Sequence, residues 1–519
     1  MPASDLAVTH TFNGGLATDF GAVADLGDAP SRAMQVPFLV RADNLFYRQN
    51  GAIRKINGIN KYNSVTIESG EEIRGEFEYV KLGTGGSPTR KKVVVAGTKY
   101  LADGNDGTFV AFQTSMQDDS VPCFCVFNDV LIISTDNTSD VPKKWDQTTA
   151  ADLGGSPPRF SFAVNHANRV WAAGNFAVPS RLYYSDVLDH EDWAGGGSID
   201  IDPDDGDMIT AIYVFRGSLI VFKGPNFGSI HVISGLTPST FERTVLLRGV
   251  GAIWQNLVFP LPNDVGFMAL DGTIRTISAT QKFGDLELGQ LSQPVNTWLQ
   301  DNVALRYARK GWAATDFTRG YVLFTLPIGA DTKPTTIMMM DYRFQPARFA
   351  MWPCTTAWSV ARMTDPSNSD KPILYLGGND GFVRKTQQAT LGLDGVAIAM
   401  YARTPGYQYG TPNRVKTIAH IGVGLRLTGE VTMRYSVRPD RGDTSDYDID
   451  AGAGTPLGSF VLGTDTLSGD AYITKWQDTL GTGEFRQVSY EISNTALSDQ
   501  VTVEAFYAQF EQSADPNYE

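Results

Sequence analysis

The chain has 519 residues, 43 Lys+Arg against 57 Asp+Glu for a net charge of −14, and 42% hydrophobic and 19% charged residues. That balance excludes the whole-protein basic footprint of a tight, sequence-neutral nucleic-acid binder, and the apolar fraction supports large cores rather than disorder. At roughly 150 residues per domain the length predicts about three domains.

The opening MPASDLAVTHTFNGG lacks the basic n-region and apolar h-region of a signal peptide. No run of about 18 apolar residues follows anywhere. The expectation is synthesis in a cytoplasm and no membrane-spanning segment. Residues 1–70 hold small residues, the Pro30/Pro37 pair and VRADNLFYRQNGAIRKINGINKY, which reads as an arm plus a hairpin.

Between about 71 and 390, short apolar runs rich in Val, Ile, Phe and Tyr recur between Asn, Asp and Gly punctuation. Val93, Val130, Val170, Leu219, Val265, Val322 and Ile373 mark seven of them. Their mean spacing of about 47 residues is that of propeller blades with several strands per unit. Helical repeats would show a 3.6-residue apolar spacing, which is absent. Gly51-Ala52-Ile53-Arg54, Gly272-Thr273-Ile274-Arg275 and Gly381-Phe382-Val383-Arg384 each follow Asn or Asp, and Gly107-Thr108-Phe109-Val110 follows Asp106. Asn/Asp-Gly suits a type I′ hairpin with two positive-φ residues. A phosphate loop needs a helix after it, whereas strand-forming residues follow each glycine, which favours hairpin turns. Six, seven or eight blades remain open, because the terminal arm can complete a blade by strand exchange.

Within this region Cys123 and Cys125, two apart in VPCFCVF, read as small buried thiols on one face of a strand. With Cys354 they make three cysteines, which excludes a disulfide framework. His10, His166, His190, His231 and His420 are scattered, with no metal-binding spacing. The densest acidic stretch, Asp200-Ile-Asp-Pro-Asp-Asp-Gly-Asp207, departs from an EF-hand loop: glycine falls at position seven and Ala211 at position twelve. It reads as an inter-blade turn whose carboxylates cap their own backbone, with calcium binding as the alternative. Met338-Met339-Met340 reads as a buried strand. One helix is predicted, from Pro294 to about Asn302, with Val295, Trp298 and Leu299 on one face.

From about 391 to 519 the pattern becomes alternating: TIAHIGVGLRL (417–427), EVTMRYSVR (430–438), RQVSYEIS (486–493) and VTVEAFYAQF (501–510). Each buries one face, as in an antiparallel sandwich. Residues 439–470 read as a long projecting loop; Arg441-Gly442-Asp443 within it reads as a chance tripeptide rather than a receptor motif. The fold expected is all-β: a β-propeller of about seven blades (71–390), an N-terminal arm and hairpin (1–70) and a C-terminal antiparallel β-sandwich (391–519).

G-x-S-x-G and Walker loops are absent, Gly83-Thr-Gly-Gly-Ser-Pro being a hairpin tip, and so is the S-x-D-x-G-x-T-W box of sialidase-type propellers. No catalytic, cofactor-binding or metal-binding residue is assigned, no cofactor is expected, and the expectation is a non-enzyme.

The segment SIDIDPDDGDMITAIYVFRGSLIVFKGPNFGSIHVISG (198–235) resembles a blade of tailed-phage virion proteins, with acidic Gly-Asp turns, I-T-x-I, V-F-K and a closing I-x-x-I-x-G. LDGTIRTISATQKFGDLELGQLSQPVNTWLQ is similar to their D-G-x-I-R turn, loop and short helix, and DNLFYRQNGAIRKINGINKY to their opening hairpin. Together these cover about a third of the chain. The resemblance implies a tail hub or nozzle protein of short-tailed bacteriophages, of the packaged-DNA stabilisation kind. Such proteins form a hexameric tube below the portal and adaptor rings, close the DNA exit and hold tail fibres or a needle or plug. Double-stranded DNA passes through without specific binding. The expected location is the virion tail. The other reading is a carbohydrate-binding or glycan-cleaving propeller, since nine tryptophans and twenty tyrosines offer stacking platforms.

Overall fold

The computed structural model describes residues 6–10, 12, 14–19, 23–24, 38–83, 86–137, 139–278, 290–408, 415–427, 431–441, 443–451, 455–456, 467–468, 471–478, 484–497 and 500–512. They form two compact units: 61–337 with 356–386, and 1–60 with 338–355 and 387–519.

The first unit is a ring of seven successive antiparallel sheets. Blade 1 comprises Ile73–Lys81, Thr89–Ala96, Lys99–Asp103 and Phe109–Gln113. Blade 2 comprises Pro122–Phe127, Val130–Thr135, Lys143–Trp145 and Ala150–Asp152. Blade 3 comprises Phe162–His166, Arg169–Ala173, Arg181–Tyr184 and Gly197–Asp200. Blade 4 comprises Met208–Phe215, Ser218–Gly224, Ser229–Ser234 and Glu242–Arg248. Blade 5 has Val258–Leu261, Asp264–Met268 and Ile274–Thr276. Trp312–Asp316 and Tyr321–Leu326 form blade 6 within this unit, and Ala357–Asp365, Lys371–Gly378 and Val383–Gln388 form blade 7. All seven marks read from the sequence lie on the second strand of their sheets, so the 47-residue period is the blade.

Each sheet buries its faces against its neighbours, which is what makes the repeat stable. Tyr79, Val93 and Val95 of blade 1 pack on Leu131, Ile133 and Trp145 of blade 2. Phe162 and Trp171 of blade 3 pack on Ile209, Ile212 and Val221 of blade 4. Phe259 of blade 5 meets Phe324 of blade 6 edge-on, with centroids 5.2 Å apart, and Thr325 of blade 6 donates to the Trp358 carbonyl of blade 7 at 2.7 Å. The ring closes where Met363, Ile373 and Tyr375 of blade 7 pack on Ile73, Val94 and Leu101 of blade 1. The segment preceding blade 1 fastens this seam: the Tyr62 amide donates to the Val383 carbonyl at 2.7 Å, and the Val383 amide donates to Asn63 Oδ1 at 2.8 Å.

The Asn/Asp-Gly turns are hairpins but not of the expected type I′. Only the glycine has positive φ, between 75° and 84° at Gly51, Gly107, Gly272 and Gly381, while Asn50, Asp106, Asp271 and Asp380 do not. The preceding side chain instead accepts from the amide two residues on, as Asp106 does from Thr108 at 2.8 Å and Asp271 from Thr273 at 3.1 Å. These are Asx turns. In two of them the arginine four residues on returns to the same carboxylate: Arg275 to Asp271 and Arg384 to Asp380.

The second unit is a sandwich. One sheet has the order Leu45–Tyr47, Ile53–Lys55, Val501–Gln512, Lys416–Leu427, Ala471–Asp478, with Leu6–His10 also on Val501–Gln512. The other includes Val488–Asn494, with Met400–Arg403 on one side and Val431–Pro439 on the other. Phe506 of the first sheet packs on Tyr435 and Tyr490 of the second, with centroids 5.6 and 6.5 Å apart. Chain boundaries at 60/61 and 386/387 lie near the expected 70 and 390. The N-terminal segment does not stand apart, and 338–355, expected in the propeller, joins this unit as well: its Met351 pairs in parallel with Asp43. Residues 439–470 are not a plain loop, because Ser445–Ala451 pairs with Val431–Pro439 over seven residues; Gly442 of the Arg-Gly-Asp tripeptide lies outside the described residues.

The predicted helix is present as a 3-10 turn at Gln293–Val295 running into Asn296–Asn302, with Val295 and Leu299 fully buried. Among the described residues no helix is long and apolar enough to cross a membrane.

Candidate functional site

Four of the five aspartates in the acidic stretch leading into blade 4, all but the exposed Asp204, have internal partners. Arg181 grips Asp200 with Nε at 2.7 Å and Nη2 at 2.9 Å. Asp202 accepts from Arg243 and Arg248. Fully buried Lys223 donates to both Asp205 oxygens at 2.7 Å and to the carbonyls of Ile201 and Asp202 at 2.7 and 2.8 Å. Asp207 accepts from the amides of Asn226, Phe227 and Gly228. The Arg181 hydrogen bond holds Asp200 below the usual carboxylate range, and burial lowers His231 to about 4, so it stays neutral beside this cluster. The arrangement is a neutralised brace between blades 3 and 4, and no group of three or more metal-ligating residues occurs among the described residues.

Cys123 and Cys125 are buried in strand Pro122–Phe127, as expected. Burial pushes Cys123 up to about 11 and raises Cys125 further, leaving both as protonated packing residues. Met338, Met339, Met340, Trp171 and Trp352 are likewise core.

Two features were not foreseen. The first lies on the propeller axis. Asn256, just before blade 5, donates to the Pro122 carbonyl of blade 2 at 3.3 Å. Gly75 of blade 1 leaves no space for a side chain: a Cβ there would lie 2.3 Å from Pro122 Cγ and 3.1 Å from Trp312 of blade 6. Blades 1, 2, 5 and 6 therefore meet directly, and the axis is closed at this level. Lys310, leading into blade 6, adds a bridge to Asp119 between blades 1 and 2 at 2.7 Å, and Arg74 pairs with Asp118.

The second is the seam between blades 7 and 1. Glu76 is 1% exposed and neither of its carboxylate oxygens has a hydrogen-bond partner. Burial raises it well above the usual carboxylate range. Glu78, two residues on, pairs with Arg90 at 3.4 Å and accepts from Thr364 of blade 7.

On the sandwich, the outward face of the sheet built on Val488–Asn494 holds a polar hollow of about 400 Å³ lined by Tyr401, Arg434, Ser436, Arg438, Asp448 and Glu491, among others. The alternation in EVTMRYSVR and SYEIS shows which residues point outward; that these strands are neighbours is a matter of topology, which alternation does not carry.

No family model and no curated protein sequence matches the chain. Solved structures with a similar arrangement include "YCF48 bound to D1 peptide", 8% identical over 63% of this chain and 96% of that one with a TM-score of 0.38. The "N-terminal Domain of Nup159" is 12% identical over 67% and 98%, with a TM-score of 0.37. "BBS1N in complex with ARL6DN" is 10% identical over 65% and 98%, with a TM-score of 0.39. The fold assignment rests on the sheet order described above.

Proposed function

We propose that this chain is a structural subunit of a bacteriophage tail, an oligomeric nozzle or hub, hexameric in the assembled virion, that channels and retains packaged DNA and docks other tail parts. On this reading it is a non-enzyme whose partners are further copies of itself, the portal or adaptor proteins, and a fibre, needle or plug. The observation that carries the reading is the closed propeller axis. With Asn256 on Pro122 and Trp312 against Gly75, the propeller is a cross-braced block rather than a cup around an axial pocket. In a ring of such blocks the conduit runs between subunits. A net charge of −14 repels phosphate from such a wall, so duplex slides without sticking. Support also comes from the segments that carry the resemblance. Residues 198–235 span the last strand of blade 3 and three strands of blade 4, and 45–55 form a hairpin.

The test is the mass of the purified full chain in solution. A hexamer supports the reading; a 56.5 kDa monomer at every concentration up to the limit of solubility contradicts it.

A further inference from the structure

We infer that the seam between blades 7 and 1 is a pH-sensitive latch: its inner strands part when Glu76 ionises, while the other blade interfaces stay shut. The latch belongs to the propeller itself and operates whether the chain is a ring subunit or a monomer.

Glu76 stands on the inner strand of blade 1, Ile73–Lys81, against the backbone of Ala361 and Gly377 of blade 7. It is 1% exposed, and neither carboxylate oxygen has a hydrogen-bond partner. The blades touch closely here: a Cβ at Gly377 would lie 2.8 Å from both Ile73 Cγ2 and the Ile73 carbonyl oxygen. A neutral acid is tolerated in such a place, whereas a bare carboxylate is very costly. Burial is the dominant influence on Glu76, and the backbone of Gly377 and Ala361 offsets only part of it. An ionised Glu76 regains its hydration when the two inner strands separate.

Two contacts flank Glu76 and must break for that to happen. Ser359 Oγ donates to the Ile73 carbonyl at 2.8 Å on one side. On the other, the Thr364 amide and hydroxyl donate to Glu78. Farther out, the Tyr62 and Ile67 amides donate to the Val383 and Gly381 carbonyls at 2.7 and 2.9 Å, and Asn63 accepts from the Val383 amide. These outer bonds join backbone and amide groups that do not titrate, so they form the hinge.

The other charged and titratable groups facing the seam have partners of their own. Glu78 pairs with Arg90 and Asp365 with Lys385. Lys92 donates to Asn105, Tyr62 to Asp103 and Tyr375 to the Thr364 carbonyl. Asp103 is also raised by burial, so it titrates in the same direction as Glu76, and a variant at Glu76 separates the two. The closed seam keeps a proton that the open seam releases. Its opening constant is therefore flat below the ordinary carboxylate pKa and rises about tenfold per pH unit above it. The rise ends once the raised value of the closed seam is passed.

The experiment is hydrogen exchange read by mass spectrometry on the full chain from pH 5 to pH 9, each rate divided by the chemical exchange rate at that pH. Peptides covering 73–81 and 357–365 should lose protection by at least about tenfold. Those covering 162–166 and 208–215, in blades 3 and 4, should keep theirs. Glu76→Gln should abolish the loss. Ser359→Ala removes one flanking hydrogen bond and no charge. It should speed exchange of both strands about fivefold at every pH and leave the pH dependence as it was. Constant protection of the two inner strands from pH 5 to pH 9 overturns the inference. So does a loss shared equally by blades 3 and 4, or one that Glu76→Gln retains.

Discussion

Asn256 in front of blade 5 donates to the backbone carbonyl of Pro122 at the start of blade 2, at 3.3 Å. In a ring of seven, these blades are as far apart around the circle as two blades can be, so a direct bond between them closes the axis. Trp312, 8% exposed, packs beside Gly75 at the same level. The propeller is thereby held by a central tie as well as by its seven interfaces.

The tie predicts three graded losses. Trp312→Ala removes a buried ring and should destabilise the chain by about 3–5 kcal/mol. Gly75→Val drives a side chain into Pro122 and should cost about 1–3 kcal/mol or more. Asn256→Ala, which loses one neutral hydrogen bond, should cost only about 1 kcal/mol. Urea denaturation of the three variants checks the order.

Lys223 predicts a larger effect than its surface neighbours. Its ammonium is fully buried and holds Asp205, two carbonyls and Ser180. Lys223→Ala should destabilise by about 3–5 kcal/mol, the range for breaking a buried pair from one side. Arg181→Ala, which frees the half-exposed Asp200, should cost far less, because solvent screens the pair. Thermal melts of the two variants separate the cases.

The same loop predicts indifference to calcium. Four of its five carboxylates are spent on arginine, lysine and backbone amides, and Asp204 alone makes no chelating set, so added calcium should leave the melting temperature where it was. A saturable rise with calcium, abolished by Asp205→Asn, would refute this.

Glu76 makes stability depend on pH in a definite direction. Burial raises its folded-state pKa above the unfolded value, so the folded chain keeps a proton that the unfolded chain releases. Its contribution is fully present below the ordinary carboxylate pKa and is lost as pH rises through the interval up to the raised folded value. Glu76→Gln cannot ionise, so the stability of the variant relative to the wild type should increase from pH 5 to pH 8. A constant difference across that range would mean that Glu76 is ionised in the fold.

Much of the propeller was legible because its signals are local. Val93, Val130 and the five later marks lie on second strands, where a short apolar run between turn residues is sufficient signal. The glycines of the Asn/Asp-Gly turns announced hairpins, but not the side-chain hydrogen bonds that set the turn type or the returning Arg275 and Arg384. The axis was illegible for the opposite reason. Pro122, Asn256 and Trp312 are separated by whole blades, and nothing in their own neighbourhoods tells that they meet. Glu76 reads locally as an ordinary strand residue between Gly75 and Phe77; only the packing of blade 7 makes it buried. The hollow on the sandwich is similar. Its outward residues follow from alternation, whereas its existence depends on Met400–Arg403 and Val431–Pro439 flanking Val488–Asn494.

The most direct test of the proposed role is electron microscopy of the full chain, alone and in the tail it would belong to. The account predicts six-fold rings whose lumen lies between subunits, faced by acidic residues, with each propeller closed along its own axis. Isolated single propellers, each with an open central channel, would contradict it.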